Sequence, residues 1–192
     1  MPMDDEVTPS AGERGLRAAG EVLLAQPRLL AWLAPVAWAF VIFRLSSSDG
    51  ALEDLPVIPF QGFIWNFAHT VVFGLLALLL VPVAPRRSIA GRPWTALTGV
   101  GALWTVLLVT LYGFTDELHQ STVPGRDASL LDVLSDGVGA ASVMVVVLYL
   151  GRQQTRPGGL RARFLGAAVA CAAAAGLATA WDVLVGEGLW PF

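Results

Sequence analysis

The sequence has 192 residues, of which 55% are hydrophobic and only 14% are charged, and its mean hydropathy is +0.65. Soluble domains carry about a quarter charged residues, so this composition excludes an ordinary water-soluble protein. The one cysteine, Cys171, excludes an intramolecular disulfide and a cysteine-based zinc site, and the net charge of −3 does not favour nucleic acid as a partner. The sequence predicts an all-α integral membrane protein whose surroundings are the lipid bilayer.

A tail of 28 residues precedes the first apolar stretch. Glu13, Arg17 and Glu21 follow one another at a spacing of four, which favours a short helix over residues 11–26 through weak ion pairs. We therefore expect residues 1–28 to form a cytoplasmic tail with a short helix.

Five apolar stretches follow, each close to the length of about 20 residues that a membrane-spanning helix needs. They cover residues 29–45, 63–84, 94–115, 130–150 and 164–185. Pro and Gly mark the turns between them. These stretches predict a transmembrane bundle with a four-helix membrane domain over residues 29–150. Residues 151–192 would then supply a basic cytoplasmic loop and an additional fifth span.

The arginines, which are the only basic residues apart from two histidines, are distributed unevenly between the two sides of this bundle. Ten of the 12 lie in the N-terminal tail and in the second and fourth connections, whereas the other side has only Arg44 and Arg126. Short cytoplasmic segments of membrane proteins are enriched in arginine and lysine. This distribution predicts a multi-pass protein of the plasma membrane with a cytoplasmic N-terminus and an external C-terminus.

Ionisable residues in and beside the first four spans concentrate at the predicted outer end. His69 lies about 9 Å from the start of the second span at 1.5 Å per residue, and Asp132 and Asp136 occupy the first two turns of the fourth. An unpaired charge at the depth of Asp136 costs several kcal/mol, so we expect a partner, either His69 or Arg126. A purely structural ion-pair network is the alternative to a functional site.

The end of the third span has a further group of polar side chains. On a helix, Asp116, His119 and Gln120 share one face, while Glu117 is rotated away by about 100°. A carboxylate one turn from an imidazole suits general acid–base chemistry, and the same spacing occurs in metal sites of helix bundles. Because the chain has two histidines in all, a His-rich site is excluded, and we predict neither a metal nor a cofactor.

The outer turn at residues 124–127 contains one guanidinium, that of Arg126. An arginine in this position can bind a phosphate or a carboxylate with two parallel hydrogen bonds. The structural alternative is a salt bridge to Asp116, Asp132 or Asp136. The two roles do not exclude each other, because Arg126 can form the bridge at one moment and bind an anion at another.

Five segments together resemble the VanZ-like family over about residues 40–150. They are Phe43-Arg44-Leu45-Ser46-Ser47, Asn66-Phe67-Ala68-His69, residues 112–120 (YGFTDELHQ), Pro124-Gly125-Arg126-Asp127 and residues 132–139 (DVLSDGVG). Two positions depart from the family pattern: Asn66 replaces a lysine, and Asp136 replaces an asparagine. The fifth span lies outside the resemblance.

The resemblance implies a small helical membrane protein related to one that is associated with low-level resistance to the glycopeptide teicoplanin. It implies no settled biochemical activity. The matching positions and the polar cluster give candidate catalytic residues and candidate ligand-binding residues. The catalytic candidates are Asp116, His119 and His69, and the ligand-binding candidates are Ser46, Ser47, Glu117, Gln120, Arg126, Asp132 and Asp136.

We therefore expect a cell-envelope role in which the outer polar site binds or modifies a lipid-linked or peptidoglycan-related ligand. Whether the protein is an enzyme stays open, because the only candidate nucleophile is Ser47, and only if its loop folds over the cluster. The alternatives are a structural or binding protein without catalysis and a small proton-coupled transporter. Against the transporter, the sequence has no inverted repeat and no charged residue at mid-bilayer depth. The oligomeric state is left open.

Overall fold

A computed structural model of the protein describes residues 10–48, 60–86, 97–124, 126, 128–152 and 156–186. Seven α-helices make up 81% of these residues, and an antiparallel bridge joins Arg86 to Leu97. The helices are α1 (Ala11–Leu24), α2 (Arg28–Ala31), α3 (Leu33–Ser46), α4 (Gln61–Leu80), α5 (Gly99–Gln120), α6 (Leu130–Leu150) and α7 (Gly159–Gly186).

Within the described residues, five segments are long and apolar enough to cross a membrane, which confirms the predicted number of spans. They are Arg28–Ser46, Gln61–Leu80, Gly99–Gln120, Leu130–Leu150 and Gly159–Leu184. The first span contains both α2 and α3, with an interruption at Trp32. Pro35 accounts for this interruption, because it has no N–H to donate to the carbonyl of Ala31 one turn earlier.

Helix ends and apolar stretches do not coincide. α4 ends at Leu80, whereas the apolar stretch continues to residue 84. α5 continues to Gln120, five residues beyond the predicted end at 115, because a helix in a bundle extends past the bilayer wherever its polar side chains face protein. The predicted start of this span at residue 94 lies outside the described residues.

Side-chain caps mark three helix starts. Ser10 and Glu13 form a reciprocal capping box at α1, so the expected tail helix is present from Ala11. The hydroxyls of Thr98 and Ser129 accept backbone N–H groups at the starts of α5 and α6. These contacts satisfy donors that have no partner inside the helix.

α6 is the central helix, in contact with α4, α5 and α7, while α3 packs on α4 and α5. Gly139 of α6 lies directly against the backbone of Thr70 in α4, where a Cβ atom would overlap. Small residues permit this close approach of helices in membranes. The buried core includes Phe73, Val109 and Met144, whereas apolar side chains on the outer surface are exposed, as a lipid-facing surface requires.

The end of the bundle at which the first span begins is basic. Burial, together with the positive charge of nearby Arg28, lowers the pKa of the Arg86 guanidinium. Arg17 of α1 donates to the carbonyl of Arg152 at 3.1 Å and so connects the tail helix to the end of α6. The polar site described below lies at the opposite end.

Candidate functional site

The C-terminal ends of α3 and α5 meet the N-terminal halves of α4 and α6 at one end of the bundle, here called the polar end. Its defining side chains are Ser46, His69, Asp116, Arg126 and Asp136. Four of these five side chains come from four different helices. The fold is therefore what brings the candidate residues together.

Asp136 is fully buried, and its partner is His69. The Nδ1 atom of His69 lies 3.2 Å from the Oδ1 atom of Asp136, in an ion pair that joins α4 to α6. The histidine side chain is 24% exposed, so one side of the ring remains accessible. Of the two partners that we expected for Asp136, the structure selects the histidine.

The second oxygen of Asp136 points towards α5. A Cβ atom at Gly113 would overlap this Oδ2 atom, so glycine at that position makes room for the carboxylate. Oδ2 has no hydrogen-bond partner among the described residues, and neither does the buried hydroxyl of the adjacent Ser135. Buried polar atoms nearly always have partners, so these atoms mark a place where the described protein groups do not complete the site.

A hydrogen-bonded group connects the end of α5 to the start of α6. The side-chain amide of Gln120 donates to Asp116 at 3.0 Å and to Glu117 at 3.3 Å. The other oxygen of Glu117 accepts the backbone N–H of Ser129 at 2.8 Å. Asp116, Glu117 and Gln120 are all buried, although Glu117 was expected to face away from the other two.

His119 has a different partner from the one its spacing suggested. Its Nε2 atom lies 2.9 Å from the hydroxyl of Ser47, and its ring stacks on Phe43 at 4.7 Å between centroids. The contacts of the described residues join Asp116 to Gln120 and not to His119. Ser47 thus lies beside a histidine, while its hydroxyl is also 2.6 Å from the carbonyl of Phe43.

Arg126 makes a backbone contact. Its Nη2 atom donates to the carbonyl of Leu45 at 2.8 Å, which holds Arg126 against the end of α3. Its buried Nε atom has no partner among the described residues. Among the described residues, no salt bridge joins Arg126 to the carboxylates of the polar end.

A cavity of about 340 Å³ opens between α3, α4 and α5 at the polar end. Its wall combines apolar and polar side chains. The lining residues are Ile42, Leu45, Ser46, Ser48, Gln61, Trp65, Ala68, His69, Val72, Phe73, Asp116, Gln120 and Arg126. Five of the predicted site residues therefore share this cavity: Ser46, His69, Asp116, Gln120 and Arg126.

The remaining predicted residues lie elsewhere at the polar end. Ser47 and His119 contact each other outside the cavity wall, while Glu117 and Asp132 lie with His69 on the α5–α6 side. One ligand-type atom from each of His69, Glu117 and Asp132 lies within 4.8 Å of the other two. This trio is the group of described residues that could hold a cation.

Several polar contacts were not foreseen from the sequence. Asn66 donates to both Thr179 and Asp182 at 3.1 Å, which attaches α7 to the polar end through α4. Gln61, Trp65 and Ser48 line the cavity. The spacing of Trp65 and His69, one turn apart on α4, would have indicated a shared face, but no signal in the sequence paired Asn66 with Asp182.

Comparison with known proteins identifies the family of this architecture. The model of the VanZ/LLP1 family matches residues 29–151. The chain belongs to the VanZ/LLP1 family. No curated protein and no solved structure matches it.

The VanZ/LLP1 match contains α3 to α6 and with them every side chain of the cavity wall. It ends before α7, which nevertheless packs on α4 and α6. The family resemblance predicted from five sequence segments is therefore confirmed. The division into a four-helix domain and an added fifth helix stays a prediction.

Proposed function

We propose that this protein binds the anionic head group of a lipid-linked or cell-wall ligand at the outer face of the plasma membrane, and acts in the cell envelope. The cavity at the polar end carries the proposal. It combines apolar side chains from α3 and α4 with polar side chains from α3, α4 and α5 and with Arg126. Such a combination fits an amphiphile whose chain lies in the bilayer and whose head group meets the polar side chains.

Arg126 is the group that we assign to the head group. Its guanidinium retains a buried Nε–H without a partner among the described residues, and Nη2 bonds only to a backbone carbonyl there. Guanidinium groups bind phosphate and carboxylate through paired hydrogen bonds. Ser46, whose buried hydroxyl also lacks a described partner, is a second contact at the same rim.

Binding accounts for the arrangement better than catalysis. Catalysis would require a carboxylate that orients His119, but among the described residues Asp116 contacts Gln120 instead. Ser47 and His119 do form the contact of a nucleophile and a base, at 2.9 Å, but both lie outside the cavity wall. We therefore assign Asp116, Gln120 and His69 to ligand contact and to the shape of the site.

The test is teicoplanin susceptibility, since the resemblance links this family to tolerance of that glycopeptide. A sensitive host expresses the wild type or Arg126→Gln, and the membrane level of each protein is quantified in parallel. We expect the wild type to protect and Arg126→Gln to lose protection at equal abundance, because the substitution removes the guanidinium that meets the anionic head group.

The matched control is Ser121→Ala, an exposed position whose hydroxyl bonds only to the Leu118 carbonyl among the described groups. It should protect as well as the wild type. A loss of protection that follows a loss of abundance would instead support a structural network, and absence of protection by the wild type would contradict the role in glycopeptide tolerance.

A further inference from the structure

We infer that His69, Glu117 and Asp132 form a binding site for a divalent first-row metal ion. This site lies beside the cavity and shares only His69 with its wall. The inference does not rest on the proposed function. The sequence predicted no metal, because the three residues come from three different helices and have no local spacing that would reveal them.

The first argument is geometric. One nitrogen or carboxylate oxygen from each of the three residues lies within 4.8 Å of the other two, so small side-chain rotations bring all three to one ion. A histidine with two carboxylates is a donor set that Zn²⁺ and Mn²⁺ accept, with water in the remaining positions.

The second argument is the orientation of His69. Its Nδ1 atom is paired with Asp136 at 3.2 Å, which leaves Nε2 as the ring nitrogen without a described protein partner. A histidine that binds a metal through one nitrogen usually donates its other N–H to a carboxylate. Asp136 occupies that supporting position.

The third argument concerns atoms that lack partners. The Oδ1 atom of Asp132 is buried without a hydrogen bond among the described residues, and so is the Oδ2 atom of the fully buried Asp136. Asp136 lies one turn beyond Asp132 on α6, and its free oxygen faces the side of α5 that carries Gly113 and, one turn later, Glu117. Buried carboxylate oxygens without donors are groups that a cation would satisfy.

The fourth argument is charge. Asp116, Glu117, Asp132 and Asp136 lie together at the polar end, and the ion pair with His69 is the one formed there by the described residues. Arg126, the nearest arginine of the cavity wall, bonds to a carbonyl instead. Four carboxylates and one imidazole in a poorly solvated site leave a negative excess, which a divalent ion offsets.

The experiment measures Zn²⁺ and Mn²⁺ binding to the purified full-length protein in lipid nanodiscs. Cys171→Ala serves as the background, so that the free thiol does not contribute. We expect one ion per chain and a rise in the melting temperature with metal. Asp132→Asn and Glu117→Gln should each weaken binding at least tenfold. Asp136→Asn should weaken it about 10- to 100-fold through His69.

The matched control is Asp182→Asn, which removes one carboxylate at the same end without touching the trio and leaves an oxygen to accept from Asn66. It should bind metal like the background protein. The proposal is overturned if the background protein binds neither ion, or if Asp132→Asn and Glu117→Gln bind as tightly as Asp182→Asn. Arg126→Gln leaves the trio intact. Loss of head-group binding in this variant and loss of metal binding in the trio variants are therefore separate results.

Discussion

At the scale of single residues, the Asp136 carboxylate is fully buried between α4, α5 and α6, and the His69 imidazole lies next to it. Gly113 leaves space for the same carboxylate on α5. The need for a partner followed from the depth of Asp136 in the predicted span. The choice between His69 and Arg126 did not, because it depends on which helices pack together.

Removal of one member of this pair should cost more than removal of both. His69→Ala leaves an uncompensated buried carboxylate, and we expect a loss of about 3–5 kcal/mol in the free energy of unfolding. The double variant His69→Ala/Asp136→Leu removes the charge as well and should recover part of that loss. Equilibrium unfolding in mixed micelles measures each variant; strictly additive losses would show that the pair is not coupled.

Local spacing predicted part of the polar group on α5. Asp116 and Gln120 share a buried face of α5 as expected, but Glu117 shares it too. A side chain's partner depends on its length and on the neighbouring helix. Gln120 reaches back to both Asp116 and Glu117, whereas His119 stacks on Phe43 of α3. No pattern within one helix could have shown the contact between α3 and α5.

At the scale of helices, hydropathy predicted the number of spans and missed their ends. α5 and α7 each extend about five residues beyond the apolar stretch at one end, because backbone hydrogen bonding continues where apolar content stops. The break at Trp32 follows from Pro35, a signal that the sequence contains. The close packing of α6 on α4 depends on Gly139, which the spans alone did not single out.

The direction of the helices across the membrane is a prediction from the arginines, and single cysteines test it. In a Cys171→Ala background, Thr122→Cys follows α5 at the polar end and Arg156→Cys precedes α7, and both positions are exposed. A membrane-impermeant maleimide added to intact cells should label the first and not the second. The opposite pattern would place the polar end in the cytoplasm and contradict the outer-face proposal.

At the scale of the whole molecule, the bundle has two chemically distinct ends. Arg28 and Arg86 lie near each other at one, and the cavity with its acidic and histidine side chains occupies the other. The concentration of arginines at one end could be predicted from their distribution along the sequence. The cavity could not, since its walls come from four separated segments and form only when α3, α4 and α5 converge with the segment that carries Arg126.

The measurement that tests the central claim most directly is binding of a polyprenyl phosphate, with the uncharged polyprenol as its matched control, to the protein in nanodiscs by native mass spectrometry. The account predicts that the wild type retains the phosphate and not the alcohol. Arg126→Gln should reduce retention of the phosphate at least tenfold, because it removes the guanidinium from the cavity rim. Equal retention of phosphate and alcohol, or of the phosphate by wild type and Arg126→Gln, would contradict the claim that this cavity recognises an anionic head group.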